Sequence, residues 1–487
     1  MPAALAAFLF SAGILGLFIL DYDRKDRTSK ALWIPVVWLW IIASREVSMW
    51  IATFNGGNVS EDLDSSLDGN SLDRNVYLGL LLLGLIVLFR RGPQVRRLLR
   101  ANLPIVLFFL YCAISVLWSN YPGVAFKRWT KSVGDVVMVL VVLTDPNRLA
   151  AIRRLFARGA FLLIPLSALF IKYYPNIGKG FKSYGMTIYV GVTTNKNLLG
   201  IICLLFGLAT VWRFAVAYQD RRGRHRKHRL IAHGIVLTTI MWVFSMAHST
   251  TSLACFLLVS PLLVAAGFRS VLRRPLIIHL IVMLIVSVSF SVLFLGMGSG
   301  ALEGMGKDAT LTGRTGIWRL VLSLTGNSLI GTGFESFWLP GWRRDRIWDA
   351  YWWHPNEAHN GYIEVFLNLG WIGVALLALI IVSGYRKIIL SLPRDPEVGR
   401  LSLAYFVVCV VYSLTEAGFR MLNPVWLTFL VGIMAVSNGR VPKAAENRRA
   451  GASPLCPRDT QLQASATSES SVGSPLIRVP TRCEQLW

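Results

Sequence analysis

Apolar runs broken by short polar or basic segments recur along almost the whole chain, starting with AALAAFLFSAGILGLFIL. They predict helices near 3–20, 31–43, 75–89, 101–118, 132–144, 156–171, 197–218, 230–247, 250–268, 276–297, 360–383, 401–416 and 421–437. Several of these approach or reach the roughly 18–20 residues that cross a bilayer as a helix. The expected fold is therefore all-α, a polytopic transmembrane helical bundle of about 12–13 spans. One polar interval, 298–359, is far longer than the rest, and a loop of that size is uncommon unless it is functional or disordered. Within it, TGRTGIWRLVLSL has the periodicity of a short helix near the membrane interface. The expected organisation is N-terminal transmembrane helices over 1–297, the large loop over 298–359, C-terminal transmembrane helices over 360–439, and a disordered tail over 440–487 rich in Ser, Thr, Pro and charge.

The charges then assign sides. Alternate loops carry Arg24, Lys25, Arg27 and Lys30; the Arg90–Arg100 cluster; Arg148, Arg153, Arg154 and Arg158; Arg221–Arg229; Arg269, Arg273 and Arg274; and Arg386, Lys387, Arg394 and Arg400. The intervening loops include the acidic NGGNVSEDLDSSLDGNSLD. Basic loops stay on the cytoplasmic side. That puts the C-terminus in the cytoplasm and the N-terminus and the large loop outside. The first run lacks a basic n-region, so it reads as a spanning helix and not as a signal peptide.

Composition agrees and narrows the function. The chain has 487 residues, 54% of them hydrophobic and only 16% charged, where a soluble chain carries about a quarter charged. The net charge of +24 sits in the loop clusters, so the expected partner is the lipid bilayer and no nucleic acid. Of the six cysteines, four lie in apolar runs and none forms a CxxC pair. Neither a disulfide framework nor a thiolate metal site is indicated. No Walker, Rossmann or G-x-S-x-G signature stands in a suitable context. The large loop also lacks the acidic pairs that hold a divalent ion on a nucleotide sugar. No cofactor and no metal are expected.

What remains is an excess of cations on the outer side. Lys127, Arg128 and Lys131 precede one span, Lys196 opens another in TTNKNLLG, Arg314 and Arg319 lie in the large loop with the WRRDR cluster, and Arg420 follows Glu416 in TEAGFR. Singly, each reads as a solvated charge at a helix end. Together they suit an anionic ligand at the lipid surface, a diphosphate above all, because Arg offers a planar fork to phosphate oxygens and Lys a point charge. Asp135 and Glu364 fall within spans and are either functional or paired with these cations. Against a transporter, the unusual charge lies at the outer face and not at the midplane, and no repeat is evident.

HPNEAHNGYIEVFLNLGWIG at 354–373 concentrates the remaining chemistry. His354, Glu357 and His359 could ligate a metal, though Pro355 breaks any helix that would align the histidines. His359 could instead cap the helix that starts near Asn360. Or it could act as a general base, since a histidine titrates near neutral pH.

This stretch resembles the signature of the O-antigen ligase and exopolysaccharide polymerase superfamily of bacterial inner membranes. His359 and Asn360 are followed by nine residues, then Gly370, two more residues and Gly373. GRTGIW resembles the family's upstream arginine motif, and TTNKNLLG and TEAGFR are similar to segments of its polymerase branch. The resemblance implies a metal-independent glycosyltransferase whose active site faces the periplasm. Its donor would be an oligosaccharide on undecaprenyl diphosphate, and its acceptor a growing glycan or, in the ligase form, lipid A–core. His359 would be the base and Arg314, with Arg128, Lys196 and Arg420, would bind the diphosphate. Asn360, Glu364 and Glu416 would support them. The polymerase-like TTNKNLLG favours the polymerase over the ligase, and both over a flippase.

Overall fold

Helices form where the apolar runs predict them, and polar caps set many of their starts. The computed structural model describes residues 1–23, 27–55, 69–181, 187–221, 223, 225–294 and 312–436. The tail, most of the acidic stretch and the first part of the large loop (298–311) lie outside these residues. In chain order the helices are α1 (Ala3–Leu20), α2 (Trp33–Ile42), α3 (Val47–Phe54), α4 (Ser71–Phe89), α5 (Gly92–Ala101), α6 (Leu103–Ser115), α7 (Pro122–Leu143), α8 (Arg148–Tyr173) and α9 (Lys196–Gln219). There follow α10 (Arg226–Ala247), α11 (Thr250–Ala265), α12 (Pro275–Phe294), α13 (Thr312–Ser323), α14 (Trp342–Ala350), α15 (Gly361–Ser391), α16 (Pro396–Tyr412) and α17 (Pro424–Ala435). A small hairpin, Lys179–Phe181 with Thr187–Tyr189, and a few single turns complete the described residues.

The side chains of Asn147, Asn195, Asn360, Asp395 and Asn423 accept amide hydrogen bonds at the starts of α8, α9, α15, α16 and α17. Proline at the first position of α7, α16 and α17 presets the backbone where no amide donor is needed. Among the described residues, seven helices are long and apolar enough to cross a membrane, or nine if each bent pair, α2 with α3 and α5 with α6, counts as one span. The remaining predicted spans fall on α7, α11, α16 and α17. Of these, α11 and α17 are shorter apolar helices, while α7 carries Lys127, Arg128, Lys131 and Asp135 along an otherwise apolar helix.

Burial separates centre from rim. About three quarters of the apolar stretch of α8 and α9 is buried within the protein (72% and 78%), against 17% for α1 and 22% for α12. Since lipid is as apolar as leucine, close packing and not water exclusion holds such helices together. Gly159, for instance, lets the Phe206 ring approach so closely that a β-carbon there would lie 2.5 Å from it. The basic loops converge at one end of the bundle, where Arg91 bonds Ser29, Arg153 pairs with Glu397, and Lys387 donates to the Ala101 carbonyl. The described part of the large loop gathers at the other end.

There α15 is broken. Gly370 has φ +62° and ψ −164°, a conformation essentially reserved for glycine. The break frees backbone groups inside an apolar helix, and residues 328–337 of the large loop satisfy them. The amides of Thr332 and Gly333 donate to the carbonyls of Leu367 and Asn368, and those of Trp371 and Ile372 to Ser328 and Leu329. The Asn368 side chain accepts from the amides of Ser336 and Phe337. Gly331 and Gly333 have φ of +69° and +97°. A β-carbon on Gly370 would sit 2.3 Å from the Leu329 carbonyl. Gly370→Ala should therefore cost more than the ~1–2 kcal/mol that left-handed backbone alone costs an L-residue. Thermal unfolding of the purified variant in detergent checks this, and an unchanged midpoint would refute the docked-loop account.

Candidate active site

His359 is held in a left-handed conformation, φ +49°, because the residues on either side of it are pinned. On one side the Ala358 amide donates to Glu364 at 2.5 Å, and the same carboxylate accepts from Trp338 Nε1 at 3.0 and 3.1 Å. On the other, Asn360 caps α15 by accepting from the Tyr362 and Ile363 amides, while its Nδ2 donates to the Leu414 carbonyl at 3.1 Å. The cap of α15 is thus Asn360, and the capping reading of His359 falls away. Glu364, one turn into the helix, orients the loop.

Around the imidazole the structure assembles a charged network from four distant segments. His359 Nδ1 lies 2.9 Å from Glu357 Oε1 and 3.2 Å from Glu416 Oε2. Arg314, near the start of α13, pairs with Glu416 at 3.1 Å and also donates to the Thr415 carbonyl. Arg420 reaches Glu357 at 3.4 Å and Glu335 at 3.3 Å. Arg128 donates to the Glu335 carbonyl at 2.5 Å. The ring of Trp353 lies face-on to that of His359, with centroids 6.3 Å apart.

The network sets the charge state of its members. Burial alone would lower the His359 pKa, but the hydrogen bonds and charges of Glu357 and Glu416 outweigh it and raise it to about 9. Burial would likewise raise Glu357, yet the hydrogen bond and charge of His359, with Arg420 and Arg314 nearby, bring it down to about 2. A histidine that titrates near neutrality was the expectation; two carboxylates facing one ring nitrogen explain the difference.

Of the residues singled out in the sequence, Arg314, His359, Asn360, Glu364, Glu416, Arg420 and Arg128 come together here. Lys196 opens α9 at the same end of the bundle, one turn before Gly200, which abuts Ser249. His354 stacks on Trp348, with ring centroids 4.7 Å apart. Asp135, on α7, accepts from Trp38 Nε1 at 2.9 Å and from the Leu422 amide at 3.0 Å, and so braces the segment after Arg420.

Sequence reasoning missed Glu335, and it considered Glu357 only as a metal ligand. Among the described residues, one His/Cys/Asp/Glu group could hold a metal ion: Glu357, His359 and Glu416, with ligand atoms within 4.8 Å of one another. The same carboxylates, however, already pair with Arg314 and Arg420. A divalent ion would have to displace or crowd two guanidinium groups, so the donor set fits a charge network better than a metal centre.

A groove of 340 Å³ opens beside the cluster, between α4 and α7. Trp38, Tyr77, Leu78, Leu81, Phe126 and Met421 form apolar walls, and Arg74, Lys127, Arg128 and Lys131 supply the charge. Arg128 belongs to both groove and cluster.

Residues 233–378 match a family model described as O-antigen ligase, a stretch that includes Arg314, Glu335, Glu357, His359 and Gly370. The chain is 26% identical over 303 residues to the exopolysaccharide production protein ExoQ of Rhizobium meliloti (strain 1021). That match covers 60% of this chain and 66% of the relative, just under two thirds of its length.

Proposed function

Because this chain belongs to the O-antigen ligase/ExoQ-like family of multi-pass membrane proteins, we propose that it is a glycosyltransferase of polysaccharide biosynthesis. It extends exopolysaccharide from repeat units carried on undecaprenyl diphosphate at the periplasmic face of the inner membrane. The observation that carries the reading is the junction of groove and cluster. An apolar channel rimmed by cations suits a lipid diphosphate, and Arg128 leads from it to the His359 network.

In this mechanism an acceptor hydroxyl attacks the anomeric carbon of the donor sugar. The carbon–oxygen bond to the diphosphate breaks, the configuration inverts, and the proton passes to His359 Nε2. Glu357 and Glu416, on Nδ1, hold the ring and stabilise the imidazolium that forms, the role a carboxylate plays behind a catalytic histidine. Arg314, Arg420 and Arg128 stand where negative charge grows on the departing diphosphate. Preorganised cations in a water-poor site stabilise such charge without reorganising. Lys196 is assigned to the same anion from its place at the outer end of α9.

A second reading is favoured by the raised pKa of His359. Already protonated at neutral pH, it would be one more cation for the diphosphate and not a base.

Gene deletion tests the function. The polymerase reading expects loss of secreted polysaccharide with an intact lipopolysaccharide ladder. Loss of the ladder with normal exopolysaccharide would assign the ligase reaction, with lipid A–core as acceptor. The proposed chemistry needs no metal. EDTA is therefore expected to leave polymer formation by the purified protein unchanged, whereas a metal acting as Lewis acid supplies several kcal/mol of barrier lowering. A large loss restored by added magnesium or manganese would reopen the metal reading of Glu357, His359 and Glu416.

A further inference from the structure

The other end of the bundle holds a second charged cavity that this chemistry does not use. α16 runs from Glu397 at that end to Tyr412 beside the His359 cluster, about 22 Å at the usual helical rise. Near Glu397, a cavity of 150 Å³ lies between the end of α1 and the helices α8 and α9. Arg153, Arg154, Arg158 and Arg213 line it, with Asp21 and Asp23. Four guanidinium groups face two carboxylates.

Part of this cluster is a clamp between helices. Asp21 accepts from Arg213 at 3.1 Å and contacts His233 at 3.2 Å, Asp23 takes Arg229 at 2.5 Å, and Glu397 takes Arg153 at 2.6 Å. The clamp uses up both acidic residues of the cavity. It leaves Arg154 bonded to the Thr28 hydroxyl at 3.1 Å, and Arg158 lying over the Trp33 ring at 4.0 Å. Among the described residues, Arg158 Nη1 and Arg213 Nε are buried without a hydrogen-bond partner, and the Arg213 side chain is only 4% exposed. Buried guanidinium donors are costly to leave unmet. A clamp alone explains neither these donors nor the excess of positive charge.

We propose that this cavity binds a phosphate-bearing anion, either the headgroup of an anionic phospholipid or free phosphate. Its oxygens take up Arg154, Arg158 and Arg213 Nε. Guanidinium forks match tetrahedral phosphate oxygens, and the excess charge matches a phosphate. The surroundings favour the lipid. Phe18, Ala157 and Phe161 give the cavity an apolar wall. Trp33, under Arg158, is 47% exposed on the outside of the bundle, as tryptophans are at the headgroup level of a membrane.

The test uses the full chain in detergent, with native mass spectrometry and thermal unfolding as readouts. The probes are phosphatidylglycerol, phosphatidylcholine and inorganic phosphate. Phosphatidylglycerol is expected to stay bound as a one-to-one adduct and to raise the unfolding midpoint above that in phosphatidylcholine. Arg154→Gln with Arg158→Gln should weaken the adduct about tenfold or more, as expected when two charge-assisted bonds are lost, and should abolish the stabilisation. Arg96→Gln with Arg97→Gln, exposed on α5, should change neither. Should inorganic phosphate reproduce the stabilisation while phosphatidylglycerol does not, the ligand is the soluble ion, lost in the same variant. If the double variant fails to fold, Arg158→Lys, which keeps the charge and loses the fork, takes its place with the same expected weakening. Adducts and midpoints that the Arg154 and Arg158 variants leave intact, or a wild-type protein that retains neither probe, would overturn the proposal.

Discussion

His359→Ala is expected to lower polymer formation by about 10²–10⁴-fold, the usual contribution of a positioned acid–base group, with membrane insertion and protein level unchanged. The pH profile of the unaltered protein is the sharper measurement. With a pKa near 9, about 1% of His359 is neutral at pH 7. If it acts as the base, the rate should climb about tenfold per pH unit from 7 and level off near 9. A flat profile over that interval, with the Ala variant still inactive, would transfer His359 to the second reading, a cation that never gives up its proton. Full activity of the Ala variant would end both.

The same shift makes stability run the other way. The folded pKa of His359 lies above its unfolded value of about 6.5. The stabilisation from Glu357 and Glu416 is thus complete below that pH and is lost as pH rises through about 9. Activity and stability should therefore diverge between pH 7 and 9.

Arg314→Lys is expected to cost about 10²–10³-fold in turnover, the loss measured when one preorganised donor to a developing anion is removed. The substitution keeps the charge beside Glu416 and removes the planar fork, so it isolates geometry from net charge. Its cost in stability should stay below about 1 kcal/mol, because lysine keeps the charge beside Glu416 and solvent at the 30% exposed Arg314 side chain screens the pair. Turnover within a few-fold of the unaltered enzyme would remove Arg314 from the diphosphate site. A collapse in protein level instead would mean that its bonds to Glu416 and Thr415 hold the loop together.

Much of the architecture is legible from hydropathy because lipid enforces helices wherever a long apolar run occurs. Arg314 and His359 were also legible, as members of short local motifs. Glu335 was not, and Glu357 stood out only as a possible metal ligand. Each acquires its partner only when the fold sets it against Arg420. The basicity of His359 was hidden for the same reason, since Glu416 lies 57 positions away along the chain. The spacing from His359 to Gly370 was visible, but its cause was not: the glycine answers to Leu329, in a loop that sequence periodicity does not describe.

That break has a consequence for building hybrids of this protein. The strand of loop from Ser328 to Phe337 and the turn of helix from Leu367 to Ile372 exchange backbone hydrogen bonds in both directions, so each is the template on which the other is finished. A chimera that takes the outer loop from one relative and the following helix from another would splice two half-templates cut to different lengths. The natural crossover points lie outside this unit, before α13 and after α15, and an exchange meant to alter the large loop must carry the helix that follows it as well.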